Sequence, residues 1–140
     1  LIDAMLRFNN IGTFAANIFA FKIPNKYSGV LLAVRPHLQP RRLQQLEGEA
    51  EFVRASVLAG QLRHLVGSAY RRPNADAEYN TALLRSLGRV SREKHNFDGI
   101  LLIGDLNLDI KLNVEPPVAR AQPAEAFMDM FADLSLVQLI

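Results

Sequence analysis

Asp105 and Asn107 stand directly behind an apolar run, residues 99–104 (GILLIG). Two residues apart in extended chain, their side chains project the same way. A carboxylate there can bind a hard cation or take a proton from water. An amide there can accept and donate, so it can hold a phosphate or a nucleophilic water. The position itself points to chemistry, because ligands of α/β sheets usually bind beyond the carboxyl ends of strands. On the tripeptide Asp105-Leu106-Asn107 alone a plain turn is the simpler account, since Gly-Asp and Asn are common loop formers. A second group, Tyr70, Arg71, Arg72, Pro73 and Asn74, follows one strand-like segment and opens a helix-like one. Helix N-termini offer unpaired N–H groups to phosphate. Adjacent arginines pair with phosphate oxygens, and a tyrosine hydroxyl can donate to one. The plainer account makes Asn74 a helix cap and leaves the arginines in solvent.

Other polar groupings are weaker. Asp105, Asn107 and Asp109 occupy positions 1, 3 and 5 of a calcium loop, but the sixth position is Ile110 and the twelfth Pro116. The pattern fails where that geometry is strictest. His37, His64 and His95 show no metal-ligand spacing and read as structural or exposed. Glu47, Glu49 and Glu51 alternate, and Arg41 and Arg42 are adjacent; both read as surface charge. Cysteine is absent, which removes disulfides, thiolate metal sites and cysteine nucleophiles.

The elements that must position these residues fit one α/β domain. The chain has 140 residues, 49% hydrophobic and 21% charged, an ordinary globular composition. It has no apolar run of 18 residues and therefore no transmembrane helix signal. Residues 1–94 carry 14 Lys+Arg against 7 Asp+Glu, a net +7, whereas residues 95–140 carry 2 against 7, a net −5. A basic front half suits a polyanion such as nucleic acid.

Residues 17–22 and 29–35 read as strands, and residues 36–45 as a loop broken by Pro40. Residues 51–57 alternate with Val53, Ala55 and Val57 inward, which sends Phe52 to a polar face. Gly60 marks a turn into the strand 61–70, and the two strands form an antiparallel hairpin. Residues 74–92 form the clearest helix, with Asn74 as its cap and Tyr79, Leu83, Leu87 and Val90 along one stripe. The run 99–104 reads as a strand covered on both faces. A second helix starts near Pro123, carrying Phe127, Met130, Phe131 and Leu134, and residues 136–140 open a further strand. This order implies a mixed sheet with helices packed against it.

Taken together, SGVLLAVR (28–35), AYRRPNADAEYN (69–80), GILLIGDLN (99–107) and AFMDMFADLSLVQLI (126–140) resemble the endonuclease/exonuclease/phosphatase family. More narrowly they resemble the endonuclease domain of non-LTR retrotransposons. The resemblance implies a four-layer α/β sandwich of two mixed β-sheets flanked by helices. It implies hydrolysis of DNA phosphodiesters with Mg²⁺ or Mn²⁺. Asp105 matches the aspartate that activates or orients water, and Asn107 the asparagine that steadies the phosphate. Tyr70 matches a tyrosine near the scissile phosphate, and Asn74 an asparagine of the same loop; Arg71 and Arg72 are added as phosphate contacts. Asp105 could also touch the metal indirectly. The implied partners are DNA and a reverse transcriptase domain in the same polyprotein, with no membrane, and the implied location is intracellular, in the nucleus.

The chain departs from the pattern in several places. Arg72 stands where related elements carry a proline, and residues 108–113 lack the usual tryptophan. Neither the family's metal-binding Glu and upstream Asn nor its late Ser-Asp-His motif can be matched. Residues 1–140 are therefore expected to be a partial domain, inactive alone. Two alternatives stay open: a non-catalytic nucleic-acid-binding or assembly module, and a phosphatase of the same fold.

Overall fold

The computed structural model describes residues 2–3, 19–24, 29–111, 118–119 and 122–137. Strands β1 (Ile2–Asp3), β2 (Phe19–Pro24) and β3 (Gly29–Val34) form a sheet in the order β1-β3-β2. Strands β4 (Arg41–Arg42), β5 (Phe52–Ala59), β6 (Leu62–Tyr70) and β7 (Gly99–Asp105) form a second in that order. Two short strands, β8 (Ile110–Lys111) and β9 (Val118–Ala119), pair with each other. Helix α1 (Ala77–Glu93) crosses from β6 to β7, and α2 (Ala124–Asp133) follows.

Among the described residues the four-stranded sheet is mixed. Its β4–β5 and β5–β6 pairs are antiparallel, and β6–β7 is parallel. The described pairs of the three-stranded sheet are all antiparallel, so the expected second mixed sheet is not seen among the described residues. A parallel pair needs a long crossover, and α1 supplies it.

The hairpin forms as expected, with Gly60 at φ +66° closing it. Phe52 is not on a polar face, because β5 and β6 are covered on both sides. Phe52, Leu65 and Ala69 face the helices, packed with Leu83, Leu87, Val90 and Phe127. Val53, Ala55, Val57, Val66 and Tyr70 pack on the other face with Val30, Leu32 and Val34 of β3. Strand alternation thus divides two cores, each with its own partner layer.

Other expectations are corrected. The loop 36–45 contains 3₁₀ turns at Pro36–Leu38 and Gln44–Leu46, and Arg41–Arg42 pairs with β5. Strand β7 is not covered on both faces. It edges the sheet among the described residues, and Leu101 is exposed. Helix α1 is capped by Asp76, whose Oδ1 accepts from Tyr79 N at 2.8 Å, so Asn74 lies outside it. The anticipated last strand is not seen at Leu136 and Val137, and residues 138–140 lie outside the described residues.

Glu47 and Glu51 do not form a solvated face either. Glu47 pairs with Arg42 at 3.0 Å and accepts from Arg54 N, while Glu51 is buried. No helix among the described residues is long and apolar enough to cross a membrane.

Candidate active site

The parallel register of β6 and β7 sets Tyr70 beside Asp105. The segments YRRPN and GDLN, 35 residues apart in sequence, therefore leave the sheet side by side at the carboxyl ends of adjoining strands. Gly104 makes the close approach possible, because a Cβ there would collide with the carbonyl oxygen of Ala69. Arg71 N continues the ladder by donating to Asp105 O at 3.0 Å.

Beyond that point the two segments are tied by side chains. Arg71 is 4% exposed. Its Nη1 donates to Leu106 O at 3.2 Å and Asn107 O at 2.8 Å, and its Nε to Asn80 Oδ1 at 2.7 Å. Asn107 returns the contact, Nδ2 donating to Arg71 O at 2.8 Å. Asn107 N donates to Asp105 Oδ1 at 3.1 Å, and Asn107 takes φ +45°, a left-handed conformation that asparagine tolerates better than most residues. Asp105 and Asn107 therefore do not project together from extended chain. The chain turns between them, and the Asp105 carboxylate caps the turn.

Tyr79 braces the same corner from α1. Its hydroxyl donates to Tyr70 O at 2.8 Å and accepts from Glu51 N at 3.0 Å. Burial pushes this phenol above its ordinary value of 10.0, so it stays a donor at neutral pH. Arg72 is exposed, with its guanidinium carbon 5.4 Å from the centroid of the Tyr79 ring. Asn74 is exposed in the connecting loop.

Of the expected site residues, the fold brings together Tyr70, Arg71, Asp105 and Asn107. Asp105 and Asn107 present their side chains at the surface. Tyr70 is 5% exposed, with its ring in the core between the two sheets. The guanidinium of Arg71 faces inward to the loop it holds. His37 and His95 are exposed and His64 is half-buried at the opposite end of β6.

Asn80 and Tyr79 were not anticipated as supports. Asn80 carried a usable signal, because a polar residue three before Leu83 falls on the apolar stripe of α1.

The arrangement offers one exposed carboxylate, one amide oxygen and a nearby cation. That set can accept a proton from water and orient a phosphate. It does not by itself make a divalent-metal centre. Among the described residues no three His, Asp or Glu side chains gather into a group that could hold a metal ion, and Asp105 already shares one oxygen with Asn107 N.

No family model and no curated protein matches the chain. Among solved structures it is similar to the endonuclease domain of TRAS1, a telomere-specific non-LTR retrotransposon, with TM-score 0.65 and 18% sequence identity. The match covers 87% of this chain and 54% of that one, so the chain spans about half the length of the domain it resembles, and the likeness is one of fold.

Proposed function

We propose that residues 1–140 form part of an endonuclease-type domain whose site handles DNA phosphodiesters at the ends of β6 and β7. The single observation that carries this reading is the Tyr70–Asp105 register, locked by the exchange between Arg71 and Asn107. In it Asp105 activates or orients water and Asn107 steadies the phosphate. Asn74 and Arg72 border the phosphate, while Tyr70, its ring in the core, and Arg71 act beneath them. The packing of β3 against β5 and β6, with α1 and α2 on the far face, supports a four-layer sandwich. The basic excess of residues 1–94 favours DNA over a small phosphate ester, and so over the phosphatase reading.

Hydrolysis on this reading would use Mg²⁺ or Mn²⁺, which would supply charge neutralisation at the phosphate. At the paired strand ends Asp105 is the carboxylate that would face such an ion. A reverse transcriptase domain in the same polyprotein, and a nuclear location, accompany the proposal.

The lone acid at the site favours one second reading, a module that binds DNA without cutting it. Supercoiled plasmid in Mg²⁺, incubated with the chain alone and with the chain completed to a full endonuclease-type domain, separates the two. Nicking that is lost in Asp105→Ala places hydrolysis in this chain. Salt-weakened binding without nicking favours the module. Absence of both sinks the DNA reading altogether.

A further inference from the structure

The opposite end of the same sheet opens into a separate cleft of about 640 Å³, within the range that holds small organic ligands. Arg63, near the start of β6, and Arg89 and Arg92, from the last turns of α1, line it. Leu43, Leu46 and Phe97 form an apolar wall continuous with the helix-side core. At about 3.3 Å per strand residue, the seven steps from Arg63 to Tyr70 put this cleft roughly 23 Å from the candidate active site. No residue of YRRPN or GDLN lines it.

Its charge is unbalanced. The Arg63 backbone is clasped by Asp98, N donating to Asp98 Oδ2 and O accepting from Asp98 N, both at 2.7 Å. That fixes the residue while leaving its side chain uncommitted. Among the described residues the guanidinium groups of Arg63 and Arg92 have no hydrogen bond or ion pair. Arg89 donates to the carbonyl of Glu47, which neutralises none of its charge. Against these three cations stand Glu93, which accepts from Asn96 Nδ2 at 2.6 Å, Asp98, whose carboxylate accepts from Arg63 N, and the negative end of α1, equivalent to about half a charge. The cations prevail, and burial of the neighbouring Arg54 guanidinium against the same helix adds to them.

We propose that this cleft is a second anion site, built for a phosphomonoester carried on a ring, of mononucleotide size. Paired guanidinium groups match phosphate oxygens, and the Leu43–Leu46–Phe97 wall gives the ring a surface to leave water. A free inorganic anion would use only the first feature. A duplex backbone would use only the arginines and leave the apolar wall unfilled.

Isothermal titration with AMP, adenosine and inorganic phosphate tests this on the whole chain and on the Arg63→Gln/Arg92→Gln variant. AMP should bind at least tenfold more tightly than either fragment, and the double variant should weaken AMP at least tenfold. Both substitutions are on exposed side chains, so circular dichroism should be unchanged. Should the double variant unfold, Arg92→Gln alone must still weaken AMP at least threefold. Three results overturn the proposal: no AMP binding, AMP binding that survives the substitutions, or equal affinity for AMP and phosphate. The first, with duplex DNA binding lost in the double variant, would assign the arginines to a nucleic-acid backbone.

Discussion

Replacing Arg71 by Met keeps most of the side-chain volume and removes three hydrogen bonds. The losses are unequal. Leu106 O and Asn107 O belong to a surface loop, so water can replace the guanidinium there. Asn80 Oδ1 cannot be rescued in the same way, because Asn80 is buried. A buried acceptor left unpaired costs about 1–3 kcal/mol, and a hydrogen bond to a charged group contributes about 1.5–3 kcal/mol net of the exchange with water. The variant should therefore lose about 3 kcal/mol, roughly a hundredfold in the folding equilibrium. Arg71→Lys keeps a charge without the fork and should lose about half as much. Urea unfolding at constant slope measures both. Duplex DNA binding supplies the readout that a merely structural role would not move in the same way. A direct phosphate contact would lower the slope of log K against log salt by about 1, whereas a positioning role leaves the slope unchanged. Stability of Arg71→Met within 0.5 kcal/mol of the wild type, or a reduced salt slope, would refute the assignment of Arg71 as the strut beneath the site.

Gly104→Ala drives a Cβ into the backbone of Ala69 and should cost more than about 2 kcal/mol, read as a lowered thermal midpoint with faster exchange of the Arg71 amide. Tyr79→Phe loses the bridge between Tyr70 O and Glu51 N and should cost about 1–2 kcal/mol at neutral pH. Because burial raises the Tyr79 pKa, its contribution is complete below pH 10 and falls as pH rises through the raised value. The difference between wild type and Tyr79→Phe should shrink there, and parallel curves from pH 8 to 11 would contradict the bridge. Arg54 is fully buried over the Phe52 ring at 3.7 Å, bonded to Ser86 Oγ, with Nε and Nη1 lacking a hydrogen-bond partner. Burial pushes its guanidinium well below its ordinary range, down to about 9, leaving it charged at neutral pH. Arg54→Met should stabilise the chain by about 1 kcal/mol below pH 9. Since the native state gives up that proton more readily than the unfolded chain, wild-type stability recovers as pH rises through 9 and the gap narrows. A constant gap from pH 7 to 10, measured by urea unfolding, would count against it.

The sequence was most legible where local and tertiary demands agree. The stripe of α1, the Gly60 turn and the apolar run of β7 each carry one dominant period or breaker, and each forms. Phe52 misled because β5 is buried on both faces, so its alternation separates two cores and not core from solvent. The short pairing of Arg41–Arg42 with β5 leaves no sequence period to read. Arg71 illustrates the harder limit. An arginine beside another arginine looks solvated until the parallel register brings a loop 35 residues away into its reach. Asp76 outcompeted Asn74 as the cap because its carboxylate reaches Tyr79 N. The candidate site was thus legible as two motifs, while the side chains that hold them together emerge only from the pairing of β6 with β7.

The most direct test follows the backbone amides of the isotopically labelled chain by NMR as a short DNA duplex is added. If a phosphodiester sits at the paired strand ends, amides of Tyr70, Arg71, Arg72 and Asn74 and of residues 105–107 should shift together and saturate with one affinity, and raised salt should reverse both sets. Shifts confined to the Arg63–Arg92 end of the sheet, or none at either end, would contradict the account.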